Sequence, residues 1–237
     1  MYKKLLVALL LSFPLVSNAG FFNSTSQDSI KIFKDYPFDM HKQDFLTKFP
    51  QFGRCQFNSS TQICAPQGYE KLYDIPFNIV ILLDKNRTNA IRLKPEEYSI
   101  GRADFWGLFR GLIKSGFFLY QVKDENGSGN AFNDIAEGMV TGQKINTISP
   151  KLDILESHQS TKQTLYYVEE NKLNSILLGK NNKFSSPEDI MNRLPKDTRF
   201  IEMEVDSLEG ESYYITLIIS IPKLQVSKVD DRPAEKF

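Results

Sequence analysis

The spacing of apolar and polar positions changes several times along the chain, and each change predicts an element. Asp39 to Phe49 (DMHKQDFLTKF) carries Phe45, Leu46 and Phe49 on one side at helical spacing. Asp39 is placed to cap this helix and Pro50 to stop it. Phe77 to Leu83 (FNIVILL) is a β-rich apolar run, and Asp84-Lys85-Asn86-Arg87 is a turn. Asn89 to Leu93 then alternates, with Ile91 and Leu93 on one face. That pattern is a hairpin. Its first strand is apolar on both faces, so it is expected to be central and covered.

Asp104 to Lys114 (DFWGLFRGLIK) returns to helical spacing. Phe105, Leu108, Phe109, Leu112 and Ile113 share one face, opposite Arg110 and Lys114. Gly107 and Gly111 each lower the helix propensity by roughly 1 kcal/mol relative to Ala, so this helix needs tertiary packing. Phe117 to Val122 (FFLYQV) reads as a strand. Residues 124–134 (DENGSGNAFND), polar and with two glycines, read as a linker.

Beyond the linker the same order of elements is expected again. Thr164 to Val168 is a strand, Glu169 to Lys172 a turn, and Asn174 to Leu178 a returning strand. Ser186-Pro187-Glu188-Asp189 opens a helix that ends before Pro195: a capping hydroxyl, a proline at the first helical position, acids in the first turn. Phe200 to Val205 and Tyr213 to Ile221 are strands, turned by Leu208-Glu209-Gly210. At one fixed offset Asp84, Asn86, Arg87, Asn89, Ile91 and Leu93 align with Glu169, Asn171, Lys172, Asn174, Ile176 and Leu178. At an offset two residues shorter, Phe117, Val122 and Gly127 align with Phe200, Val205 and Gly210. The expected fold is therefore α+β: antiparallel sheets with short covering helices, in two similar hairpin–helix–strand halves. Residues 20–127 form the first half, 128–222 the second, and 223–237 a polar, frayed C-terminal tail.

The first 19 residues change the picture of where the protein works. Lys3 and Lys4 precede an apolar run from Leu5 to Val16, followed by the small-residue site Ser17-Asn18-Ala19. This is the pattern of a cleavable signal peptide. The run is shorter than the roughly 20 residues a membrane span needs. The expected mature chain starts near Gly20 as a soluble periplasmic or secreted protein without a membrane span. It keeps 27 cations and 29 acids, a net charge of −2. A near-neutral chain lacks the clustered cations of a nucleic-acid binder.

The only two cysteines, Cys55 and Cys64, fit that compartment. Their spacing predicts a structural disulfide across a loop; catalytic dithiols usually sit closer, beside a helix N-terminus.

Little else points to chemistry. The one S-x-x-K match, Ser220 to Lys223, contains Pro222 and follows a β run, so no helix brings the lysine over the serine. His41 and His158 are the only histidines. Each is a weak candidate for a general base and otherwise reads as a solvated side chain. No cofactor and no metal site is expected, since no Cys/His cluster is present. Glu202, Glu204 and Asp206 alternate along one strand face. They could hold a hard cation, meet a basic partner, or form the wet side of an outer strand. Trp106 and Arg110, one helical turn apart, could form a binding hot spot, or Trp106 could fill the space between the halves.

The leading functional expectation is a protein-binding module of the cell envelope, of inhibitor or immunity type, acting by occlusion of a partner. Trp106, Arg110, Glu202, Glu204 and Asp206 are its candidate contacts. A hydrolase using a histidine base is one alternative. An envelope assembly factor or small-ligand carrier with an apolar cleft between the halves is the other.

Overall fold

The computed structural model describes residues 29–56, 60–125, 127–137, 162–179 and 182–225. The expected signal segment, His158 and the tail beyond Gln225 lie outside them.

The chain is α+β, and its centre is the predicted hairpin. Strand β6 (Ile75–Asp84) turns into β7 (Arg87–Pro95) through Lys85 and Asn86, both with positive φ (46° and 61°). Two such residues make the tight turn whose twist suits a hairpin. A bulge between Leu82 and Leu83 turns Thr88 inward, where it is fully buried. The Thr88 hydroxyl donates to Pro37 O at 2.6 Å and accepts from Met40 N at 2.9 Å. This ties the small sheet of β1 (Lys31–Phe33) and β2 (Tyr36–Pro37) and the helix α1 (Lys42–Lys48) to β7.

Around this hairpin lies one antiparallel sheet. Its remaining strands are β3 (Gly53–Arg54), β4 (Gln62–Cys64), β5 (Glu70–Leu72), β8 (Ile100–Gly101), β9 (Phe117–Asp124), β10 (Ser128–Asn130), β11 (Lys162–Glu169), β12 (Phe200–Leu208) and β13 (Ser212–Ser220). The main path runs β10-β9-β11-β12-β13-β7-β6-β4-β3, with β5 on β6 and β8 on β13. Residues from both proposed halves thus share one ladder.

Helix α2 (Arg102–Lys114) covers one face. Its Phe105, Leu108, Phe109 and Leu112 are buried as expected, while Ile113 is exposed. The main core lies between α2, α1 and the inward residues of β6, β7, β12 and β13. A second core covers part of the opposite face, where α3 (Ala131–Ala136), α4 (Glu170–Leu177) and α5 (Pro187–Arg193) pack on Phe118, Tyr120, Val168 and Phe200. Strand β9 serves both cores by alternation, with Phe117 and Leu119 in the main core and Phe118 and Tyr120 in the second, up to a bulge at Tyr120. The extra residue resets the alternation, so Leu119 and Val122 both face the main core.

Several expectations are corrected. Asn174 to Leu178 is not a returning strand; it lies in α4 and the residue after it. Leu173, Ile176 and Leu177 also repeat at helical spacing, and Leu173 is fully buried in the second core. The second stretch therefore runs strand, helix, helix, hairpin, not hairpin, helix, strand. Residues 124–134 are not a linker. Asp124 at the end of β9 accepts from Gly127 N at 2.8 Å through its Oδ1, and β10 and the start of α3 follow. The cap of α3 is Asn130, whose Oδ1 accepts from Phe132 N at 2.9 Å. Asp39 does not cap α1; it holds positive φ and pairs with Arg87, and the cap is His41. On β6, the face away from the main core is only half-covered at Val80 and Leu82. Lys223 is anchored, not frayed: its ammonium donates to Asn192 O at 2.8 Å and Leu194 O at 2.6 Å, closing the end of α5. Ser186 caps α5 as expected, accepting from Asp189 N, with proline at the first position.

Cys55 and Cys64 form a disulfide, with Cα atoms 5.1 Å apart. It fastens β3 beside β4. Replacing both with Ser should lower stability by about 2–3 kcal/mol, from the loop entropy released in the unfolded chain. Urea titration of the variant against the oxidised protein checks this.

Candidate functional site

The face of the sheet left open by the second core carries the outward side chains of β11, β12 and β13. It forms a concavity of about 960 Å³. Its floor includes Thr164 and Tyr166 on β11, Glu204 and Asp206 on β12, and Tyr214 and Thr216 on β13. The β7–β8 connection from Pro95 to Tyr98 lines one side, and Lys123 to Glu125 at the end of β9 lines the other.

The strand register fixes who faces whom. Glu204 pairs with Thr164 on one side and Thr216 on the other, and Thr164 pairs with Lys123. Continuing the β13–β7 register places Lys94 beyond Thr216. Lys94 and Lys123 thus stand two strands away from Glu204, roughly 10 Å by ordinary strand spacing. Asp206 pairs with Lys162 on β11, their charged atoms 4.0 Å apart at the surface. Such an exposed pair contributes little to stability.

Tyr98 is 88% exposed and meets Tyr214 edge to face, with ring centroids 4.9 Å apart. Further along the floor, burial raises the Tyr166 phenol above its ordinary value, and the Glu202 and Glu204 carboxylates add to that shift. Burial, then Tyr166 and Glu202, push Tyr120 up to about 12. Burial also raises Tyr167, whose hydroxyl lies in the main core without a hydrogen-bond partner among the described residues. Tyr36 is raised by burial and by its bond to Glu70.

These four phenols set an alkaline limit. Each has a folded pKa above the unfolded value of about 10, so the fold favours the neutral form. Their contribution is complete below pH 10 and is lost as pH rises through the folded values. The melting temperature should therefore fall steadily above about pH 10. A melting temperature unchanged between about pH 9 and 12 would count against this.

Of the sequence-derived candidates, the structure gathers Glu204 and Asp206 into the groove. Glu202 lies one step further along the same face of β12, between Tyr166 and Ile218. Trp106 and Arg110 lie elsewhere, on α2. Trp106 is half-buried against the main core, its ring 5.2 Å from Phe105 and 5.4 Å from Phe109, and Arg110 is exposed. His41 caps α1 by accepting from Gln43 N at 3.3 Å and bridges to Arg87, at the far end of β7 from Lys94. Among the described residues, no three His, Cys, Asp or Glu side chains are grouped to hold a metal ion. Sequence reasoning missed the groove walls and the three tyrosines, Tyr98, Tyr166 and Tyr214. The alternation of Tyr166 and Tyr214 with buried residues signals an outward face but not what stands beside it, and Tyr98 lies on a loop without such alternation.

Among the described residues, these features define an α+β protein whose large antiparallel sheet is covered by the second core over part of one face and carries a groove on the rest of it. No family model matches the chain, nor does any curated protein or solved structure. No helix among the described residues is long and apolar enough to cross a membrane.

Proposed function

We propose that the mature chain is an exported binding module of the cell envelope that holds a protein partner at the open face of its sheet. The groove carries this reading: a concavity that sets tyrosines, a residue type enriched where proteins meet, beside charges that would steer a partner of complementary charge. Tyr98, standing out on the β7–β8 connection, is the side chain best placed to enter a partner's cleft. Occlusion of that cleft, as an inhibitor or immunity-type protein would do it, follows from the same placement. Export rests on the N-terminal charge, apolar run and small-residue site, together with the disulfide. The relation of the two halves as an internal repeat now rests on the residue alignment alone.

An affinity pull-down from the native envelope fraction tests the reading. One partner should be recovered in stoichiometric amount by the mature protein and by Arg110→Ala, and lost with a Tyr98→Ala/Tyr214→Ala variant. Recovery of nothing, in conditions where control complexes survive, would count against it. So would recovery that is indifferent to the two tyrosines.

A further inference from the structure

We infer that the groove receives a cationic, extended segment of polypeptide, laid along β12 with its basic side chains over Glu204 and Asp206. This rests on the binding-module reading and adds the chemistry of the partner.

Six carboxylates line the groove, from Glu96, Glu97, Asp124, Glu125, Glu204 and Asp206, against three ammonium groups, from Lys94, Lys123 and Lys162. The groove is therefore acidic on a chain whose mature charge is close to zero. The lysines stand on the walls beside Glu96, Glu97, Asp124 and Glu125 or, paired with Asp206, at the rim, and Glu204 holds the centre of the floor two strands from Lys94 and Lys123. Glu96, Glu97 and Glu204 make no ion pair among the described residues. A cationic ligand would give them the partners that the fold does not.

Spacing sets the form of the ligand. Alternate residues of a strand are roughly 7 Å apart, so Glu202, Glu204 and Asp206 repeat at that interval. An extended peptide has the same interval between alternate side chains. Basic residues at every second position of an extended segment can therefore follow the acids one to one. Tyr98 and Tyr214 add aromatic rings beside this line, and such rings attract Arg and Lys. Phosphate polymers and acidic peptides meet the wrong charge. A neutral glycan could stack on the tyrosines, but it would leave the carboxylates unpaired.

The test is fluorescence anisotropy with the full mature protein and labelled hexa-arginine, hexa-glutamate and a neutral β-linked N-acetylglucosamine oligomer. Hexa-arginine should bind, and the binding should weaken as salt rises. Hexa-glutamate and the sugar should not bind. The double substitution Glu204→Gln/Asp206→Asn should weaken hexa-arginine by about tenfold, and Tyr98→Ala by about threefold. Removing two exposed acids elsewhere, Asp44→Asn/Glu188→Gln, changes net charge equally and should alter binding less than about twofold. Equal losses in the two charge pairs would overturn the inference, as would preference for the sugar or no binding of hexa-arginine. The two proposals fail separately. A partner recovered from the envelope with no hexa-arginine binding leaves the module reading standing and removes this one. Groove-dependent hexa-arginine binding without a recovered partner does the reverse.

Discussion

Phe45→Ala should be the most damaging single substitution at this end of the molecule, lowering stability by about 3–5 kcal/mol. Phe45 is fully buried and is the one buried residue of α1. Its ring centroid lies 4.7 Å from Phe49, 5.2 Å from Phe52 and 6.1 Å from Tyr36. A seven-residue helix has almost no stability of its own, so α1 exists because this ring is held in the cluster. Truncation leaves a cavity that the surrounding rings cannot close without moving from their edge-to-face arrangement. Phe45→Leu keeps most of the volume and should cost about 1–2 kcal/mol. Chemical denaturation gives both values. Amide exchange should show the loss concentrated in residues 31–52, tethered to the rest partly through Thr88. Equal costs for the Ala and Leu variants would show that the ring cluster does not set the stability of this region.

The second large effect is at the ion pair between Glu169 and Arg199. Glu169 is buried, at 6% exposure. Its Oε2 accepts from Arg199 backbone N at 2.9 Å, and its Oε1 accepts from Nε at 2.9 Å and from Nη2. The guanidinium also lies over the Phe117 ring. Arg199→Met removes the cation and leaves a buried carboxylate with one hydrogen bond. Breaking a fully buried pair costs about 3–5 kcal/mol; the Arg199 side chain is 32% exposed, so water offsets part of this and about 2–4 kcal/mol is expected. Adding Glu169→Leu should restore much of the loss, because it removes the stranded charge. A double variant less stable than Arg199→Met alone would contradict this, and would place the value of Glu169 in its bond to the backbone.

The parts of the fold legible in the sequence are those fixed by local period and turn chemistry. The β6–β7 hairpin, α2, the Ser186 cap and the β12–β13 hairpin all belong to this kind. What was missed depends on partners distant in the chain. Strand β10 is Ser-Gly-Asn, with no apolar pattern, and is a strand only because β9 is there to bond it. Leu173 to Leu178 fits either period, and the second core decides for the helix. The groove was half legible. The acid stripe of β12 follows from alternation, but Lys94 and Lys123 reach its margins through four other strands, β13 and β7 on one side and β11 and β9 on the other. Tyr98 matters because of a loop whose position no local pattern specifies.

The disulfide also bears on solubility. One end of the sheet is β3, two residues long, and Cys55 follows it directly. With the bond open, only two residue pairs hold β3 on β4. Its departure would bare the edge of β4, itself short, beside the ten-residue apolar strand β6. Unprotected edges next to apolar strands recruit further chains. Oxidation of these two thiols thus acts as a guard against self-assembly, and the reduced protein should form aggregates at concentrations where the oxidised one stays monodisperse.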